Sequence, residues 1–292
     1  MNERIITMVK FKLSKNLNFN RETAFQFFKY TVYIFLSMNI YHFFVDDYSA
    51  SSQTFAGGIA PSQIIQAFAA TIDTLAWVVL LLIFELETYV LDDKKLKGPL
   101  KWSLRFFSLL CYCFIIYSFY GYISKYILLH TTLPFNGDIC GLVGTTFTYL
   151  YEIDDYIPIT KEVCQSYINL SLSQIAGTEI IVSQANLIEA QRLSTVEVIN
   201  SANWLIIVFI LESEVYLQLK GRLTDSIMFI SKWIKIVLYS VLLIAAIYWG
   251  IKGSFLDFWD AFLWLVAFIF IELNIFEWNA ETSKDKVLEP ST

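Results

Sequence analysis

The sequence predicts an all-α, polytopic membrane protein. Six transmembrane helices in three hairpin repeats would form a pseudo-threefold bundle, joined to a helical extracytoplasmic segment. Three observations carry that expectation: composition, the length of the apolar runs, and a pattern that recurs in every second run. Of the 292 residues 56% are hydrophobic and only 16% charged, and mean hydropathy is +0.54. A soluble domain carries about 25% charged residues, so a surface this poor in charge fits lipid better than water. The apolar residues fall into runs near the length that crosses a bilayer.

The chain opens with a basic segment, 1–26, which is expected in the cytoplasm. It lacks a small-residue cleavage site after its first apolar run, so that run reads as a retained anchor. Spans one to three fall at about 27–45, 73–91 and 104–127, and together occupy 27–127. Pro61–Ser62 reads as a helix start ahead of the second span. A long polar segment, 128–198, follows. Spans four to six fall at about 199–219, 231–251 and 256–277, within 199–277, and a tail of 278–292 closes the chain. The fourth span is expected to project outward as a stalk, because 178–201 keeps helical spacing without a breaker.

Most of the 21 Lys and Arg residues lie before span one, between two and three, between four and five, and after six. The positive-inside tendency then places both termini in the cytoplasm. The outer segments are acidic, with Asp46, Asp47, Asp138, Glu152, Asp154, Asp155, Glu162, Glu179, Glu189 and Glu197 set against Lys161 and Arg192. A negative mouth concentrates cations over a Debye length of about 8–10 Å; the plainer reading is a solvated, soluble surface. Cys140 and Cys164, an even pair in one outer loop, point to a disulfide in an oxidising compartment.

The repeat is the most informative pattern. Span two carries Asp73, Trp77, Glu85, Glu87 and Tyr89; span four carries Asn200, Trp204, Glu212, Glu214 and Tyr216; span six carries Asp260, Trp264, Glu272, Asn274 and Phe276. The spacing is the same each time: Asp/Asn, Trp at +4, Glu at +12, Glu/Asn at +14 and an aromatic at +16. Lys29, Arg105 and Lys235 each open an odd span at the opposite end of the hairpin's sequence. Internal repeats of hairpins are a recurrent feature of transporters.

An ionisable residue inside an apolar run is costly and by default faces a bundle interior, a partner or water. Glu85, Glu212 and Glu272, with Glu87, Glu214 and Asn274 beside them, are therefore the candidate cation pathway or gate. Lys29, Arg105 and Lys235 are their expected charge partners, and Asp73, Asn200 and Asp260 the outer repeat positions. Register-fixing salt bridges are the structural alternative for the same residues. The two histidines, His42 and His130, have no metal-ligand spacing, and neither a phosphate loop nor a nucleophile elbow occurs. No catalytic residue, metal or cofactor is expected, and no nucleic-acid partner. The expected partners are membrane lipids, small cations, and either a second copy of the chain or other subunits of a membrane complex. The leading functional expectation is a channel or transporter for small cations; the rival is a non-catalytic membrane subunit that binds a partner through 128–198.

Overall fold

A computed structural model describes the backbone at residues 2–55, 58–87 and 98–288, and side chains at 23–55, 58–87, 98–218 and 220–271. The chain is mostly helical, 77% by residue, with eight α-helices and one small sheet among the described residues. In chain order these are α1 (Asn2–Thr54), α2 (Ile64–Ala67), α3 (Ala69–Glu85), α4 (Pro99–His130), β1 (Thr132–Phe135), β2 (Thr148–Glu152), β3 (Asp155–Pro158), α5 (Lys161–Tyr167), β4 (Leu172–Ile175), β5 (Ile180–Ser183), α6 (Gln184–Leu219), α7 (Asp225–Lys252) and α8 (Phe255–Leu288). By internal packing the chain divides into two units, residues 39–262 and residues 1–38 with 263–292.

Among the described residues, three helices are long and apolar enough to cross a membrane: Pro99–His130, Gln184–Gln218 and Asp225–Lys252. Only 22%, 33% and 28% of their most apolar windows is buried within the protein. Large side chains such as Phe106, Phe209 and Ile244 stand exposed along them, which hydrocarbon accommodates and water does not. A fourth crossing follows if Pro61–Ala67 and Ala69–Glu85, bent 76° against each other, are one broken span. The expected six spans are therefore corrected to three, or four with the broken helix. The first expected span lies in α1, where Lys29, Asn39, His42 and several tyrosines dilute the apolar run. The sixth runs past residue 271, beyond the described side chains.

The break before α3 has a local cause. Pro61 opens a short 3-10 turn, Pro61–Gln63, ahead of α2, and Phe68 adopts φ −128°, ψ 36°, outside the helical basin. α4 crosses this break at Gly121. A Cβ there would sit 2.7 Å from the Ile65 carbonyl oxygen and 3.0 Å from the Ala69 Cβ. Gly121→Ala is accordingly expected to lower the thermal midpoint in detergent, at a cost of about 1–3 kcal/mol. Gly141→Ala, which meets nothing within 4 Å, leaves the midpoint unchanged.

Within residues 39–262, α3 packs on α4, α4 on α6, and α6 on α7. Thr224 caps α7 by accepting from the Ile227 N–H, and Ser183 caps α6 by accepting from the Asn186 N–H. At 36 residues α6 is about 54 Å long, and it begins directly after β5.

The expected helical segment at 128–198 is instead built around a five-stranded sheet of order β1-β4-β5-β2-β3. Its pairings are antiparallel except β2 with β5. The apolar residues of β2 and β5 alternate between two cores. Leu150, Ile180 and Val182 face Leu129, Leu187 and Ala190 from the ends of α4 and α6. Tyr149 and Ile181 face Ile139, Ile159 and Cys164 on the other side. That period-2 alternation, in β-branched and aromatic residues, overrides the helical spacing seen beyond residue 178, and α6 starts only at Gln184.

The Cys140–Cys164 disulfide closes the second core, tying the 3-10 turn Ile139–Leu142 to α5 across 24 residues. A Cys140→Ser/Cys164→Ser variant is expected to lose about 3 kcal/mol from this domain. Faster proteolysis between residues 132 and 183, matched by reductant treatment of the natural protein, is the readout. Among residues 1–38 with 263–292, Phe25 and Phe28 meet Phe270 edge-on, with centroids 5.1 and 5.7 Å apart.

Candidate functional site

The helix spacing places Asp73 and Trp77 on one face of α3, and Asn200 and Trp204 on one face of α6. Trp77 and Trp204 meet at 6.2 Å between ring centroids, so Asp73 and Asn200, each four residues earlier, stand one turn toward the sheet-bearing end. From α4 the Tyr122 hydroxyl makes a long hydrogen bond of 3.4 Å to Asp73 Oδ2. Asp260 on α8 is within Coulombic range of Asp73 and accepts from Asn39 Nδ2 of α1 at 2.7 Å. The three outer repeat positions thus belong to one polar layer inside the bundle. Three oxygens buried in this region lack a hydrogen-bond partner: Asp73 Oδ1, Asn200 Oδ1 and Ser118 Oγ. Buried polar atoms are rarely left so, and each costs about 1–3 kcal/mol.

A second, larger cluster joins the helices to the sheet. Lys125 on α4 donates to Asp154 at 2.7 Å and to Glu197 of α6 at 2.9 Å. Asp154 occupies the β2–β3 turn at φ +63°, a conformation that aspartate tolerates better than most residues. Asp47 on α1 accepts from both the backbone N–H (2.9 Å) and the hydroxyl (2.6 Å) of Thr71, and so caps α3 from another helix. Burial raises its pKa to about 7 against the Thr71 hydrogen bonds, and Asp154 adds to the rise. Burial likewise raises Asp46, with Asp154 again contributing. Tyr156, whose hydroxyl lies 3.4 Å from that of Thr54, is pushed up by burial and by Asp154. A cavity of about 40 Å³ lies among Asp47, Thr54, Gln66, Lys125, Asp154 and Tyr156, room for one to three waters.

The expectation that Lys161 and Arg192 are the only bases among the outer acids is corrected. Lys125 serves Asp154 and Glu197, and Lys252 pairs with Glu189 at 3.2 Å. Lys125 was legible as a lysine near the end of an otherwise apolar run. Ser118 and Tyr122, four apart on one helix face, carried a weaker signal.

At the other end of the helices, Glu85 is buried, 4% exposed. Glu212 is exposed and accepts from the Tyr112 hydroxyl at 2.6 Å. Lys235, itself buried, pairs with Glu214 at 3.0 Å, and Ser231 also donates to Glu214. Arg105 and Lys101 lie within Coulombic range of Glu87. Lys235 thus meets a +14 acid, Glu214, and Arg105 lies near another, Glu87. On α6, Glu212 and Glu214 are about 200° apart, so only one of them faces α7. Lys29 is buried, with its ammonium 5.2 Å from the Tyr30 ring centroid. Glu272 and Asn274 lie outside the described side chains.

Among the described residues, no group of three or more His, Cys, Asp or Glu is placed to hold a metal ion. Comparison with known protein families, with curated proteins and with solved structures finds no match.

Proposed function

We propose that this protein moves small cations across a membrane, as a channel or transporter. The observation that carries the reading is the polar layer of Asp73, Asn200 and Asp260, in which Asp73 Oδ1 and Asn200 Oδ1 are buried without partners, beside helices apolar and long enough to cross a membrane. Ionisable groups at such depth are costly and usually serve ions or protons. On this reading the disulfide-closed sheet faces an oxidising compartment. Asp46, Asp47, Asp154 and Glu197 then form the negative mouth, and Asp73 and Asp260 the constriction. Glu85, Glu87, Glu212 and Glu214 form the inner end, where Arg105 and Lys235 counterbalance them. The recurrence of the hairpin pattern supports equivalent roles for equivalent positions, in a monomer or a homo-oligomer.

The test is cation flux into liposomes containing the purified full chain. Wild type is expected to carry flux, and Asp73→Asn to reduce it at least tenfold in protein that elutes as a single folded species. A Glu85→Gln/Glu212→Gln/Glu272→Gln variant is expected to alter ion preference. Flux unchanged in Asp73→Asn overturns the assignment.

One feature favours the rival reading, a membrane subunit that docks a partner. Leu133, Tyr151, Ile168 and Leu170 are apolar and exposed on the sheet domain. That reading predicts no flux and specific co-purification of another protein, lost in a Leu133→Ser/Ile168→Ser variant.

A further inference from the structure

We infer that the polar layer is a binding site for one small, hard monovalent cation of the sodium type. The inference rests on the transport reading and names its ligand class. Ser118 is the decisive residue. It is fully buried, at 0% exposed, and its hydroxyl has no partner. Serines elsewhere in these helices, Ser108, Ser124, Ser213 and Ser240, return their hydroxyls to the carbonyl four residues earlier; Ser118 does not.

The direction of Ser118 follows from helix register. On α4, Gly121 lies against Ala69 and Tyr122 reaches Asp73. α3 and α4 run antiparallel, so Ser118, about one turn before these residues, falls at the level of Asp73. The Trp77–Trp204 contact brings Asn200 to the same level from α6. A carboxylate oxygen, an amide oxygen and a hydroxyl, each lacking a hydrogen-bond partner, therefore stand at one depth on three neighbouring helices.

The donor set selects the ligand. Every partnerless atom is an oxygen, which suits hard cations and not soft ones. The layer has two carboxylates, Asp73 and Asp260, and no third acid joins them in a metal-holding group among the described residues. That charge suits a monovalent ion completed by neutral oxygens better than calcium, whose sites are richer in carboxylates. Lys125, the next cation along α4, is engaged by Asp154 and Glu197. A bound cation relieves the repulsion between the two aspartates and satisfies all three oxygens.

The experiment is thermal unfolding of the detergent-solubilised full chain at fixed ionic strength, in choline chloride exchanged stepwise for NaCl, KCl or CaCl2. Sodium is expected to raise the midpoint saturably, because a ligand of the native state alone stabilises it by mass action. Asp73→Asn abolishes the effect. Ser118→Ala, which keeps every charge, raises the half-saturating concentration about tenfold and leaves the midpoint in choline chloride unchanged or higher. Equal midpoints for wild type in sodium and choline overturn the proposal, as does stabilisation by calcium alone. Sodium stabilisation without flux retains the site and removes the transport reading; flux without it does the reverse.

Discussion

A Lys125→Met variant is expected to lose about 3 kcal/mol of stability, the loss that follows when one partner of a largely buried ion pair is removed. Lys125 holds Asp154 and Glu197 at 2.7 and 2.9 Å, and the Lys125 and Glu197 side chains are only 19% and 15% exposed. Methionine fills the stem's volume but leaves two carboxylates facing each other beside Asp47, with Glu197 Oε2 already lacking a hydrogen-bond partner. The loss should fall on the junction between bundle and sheet, because the three residues come from α4, α6 and the β2–β3 turn. Hydrogen exchange should therefore accelerate first at residues 148–158. A second substitution, Glu197→Gln, should return part of the loss. That coupling separates the ion pair from packing, since neutralising the acid helps only where its charge is the problem. Independent, additive losses from Lys125→Met and Glu197→Gln would sink this account.

How much of this arrangement the sequence discloses depends on how local its cause is. The membrane character of α4, α6 and α7 is written in uninterrupted apolar runs. The disulfide is written in an even pair of cysteines within one loop. The Asp/Asn–Trp spacing places Asp73 with Trp77, and Asn200 with Trp204, on one face of each helix, because i and i+4 share a helix face whatever the partner helix is. The sheet domain is not legible because its strands are only four or five residues long, too short for alternation to stand out against helical spacing nearby. Equally hidden was the break at Phe68, since nothing in an apolar stretch announces that another helix will cross it at Gly121. Charge pairing was legible as chemistry but not as register. That Lys235 would choose Glu214 depends on which face of α6 meets α7, a tertiary fact absent from the spacing of either helix.

The same junction sets an expected pH response. Asp47 has a pKa of about 7 in the folded protein against an ordinary 3.8, because burial outweighs the two Thr71 hydrogen bonds that favour its charged form. The folded state therefore binds this proton more tightly than the unfolded chain does. Its stabilising contribution is complete below about pH 4 and is lost as pH rises through about 7. Full burial would make the difference about 4 kcal/mol; Asp47 keeps some contact with solvent, so about 2 kcal/mol is expected between pH 5 and pH 8. Asp46 is shifted in the same direction and adds to the trend. Asp47→Asn isolates the term, since its amide oxygen still accepts from the Thr71 N–H and caps α3 while carrying no charge to desolvate. The variant should match wild type at about pH 4, exceed it at pH 8, and show a flatter stability profile between them. A variant less stable than wild type at pH 8 would mean that the carboxylate is worth more to the positive end of α3 than its burial costs. The cap would then be the reason an acid stands at position 47.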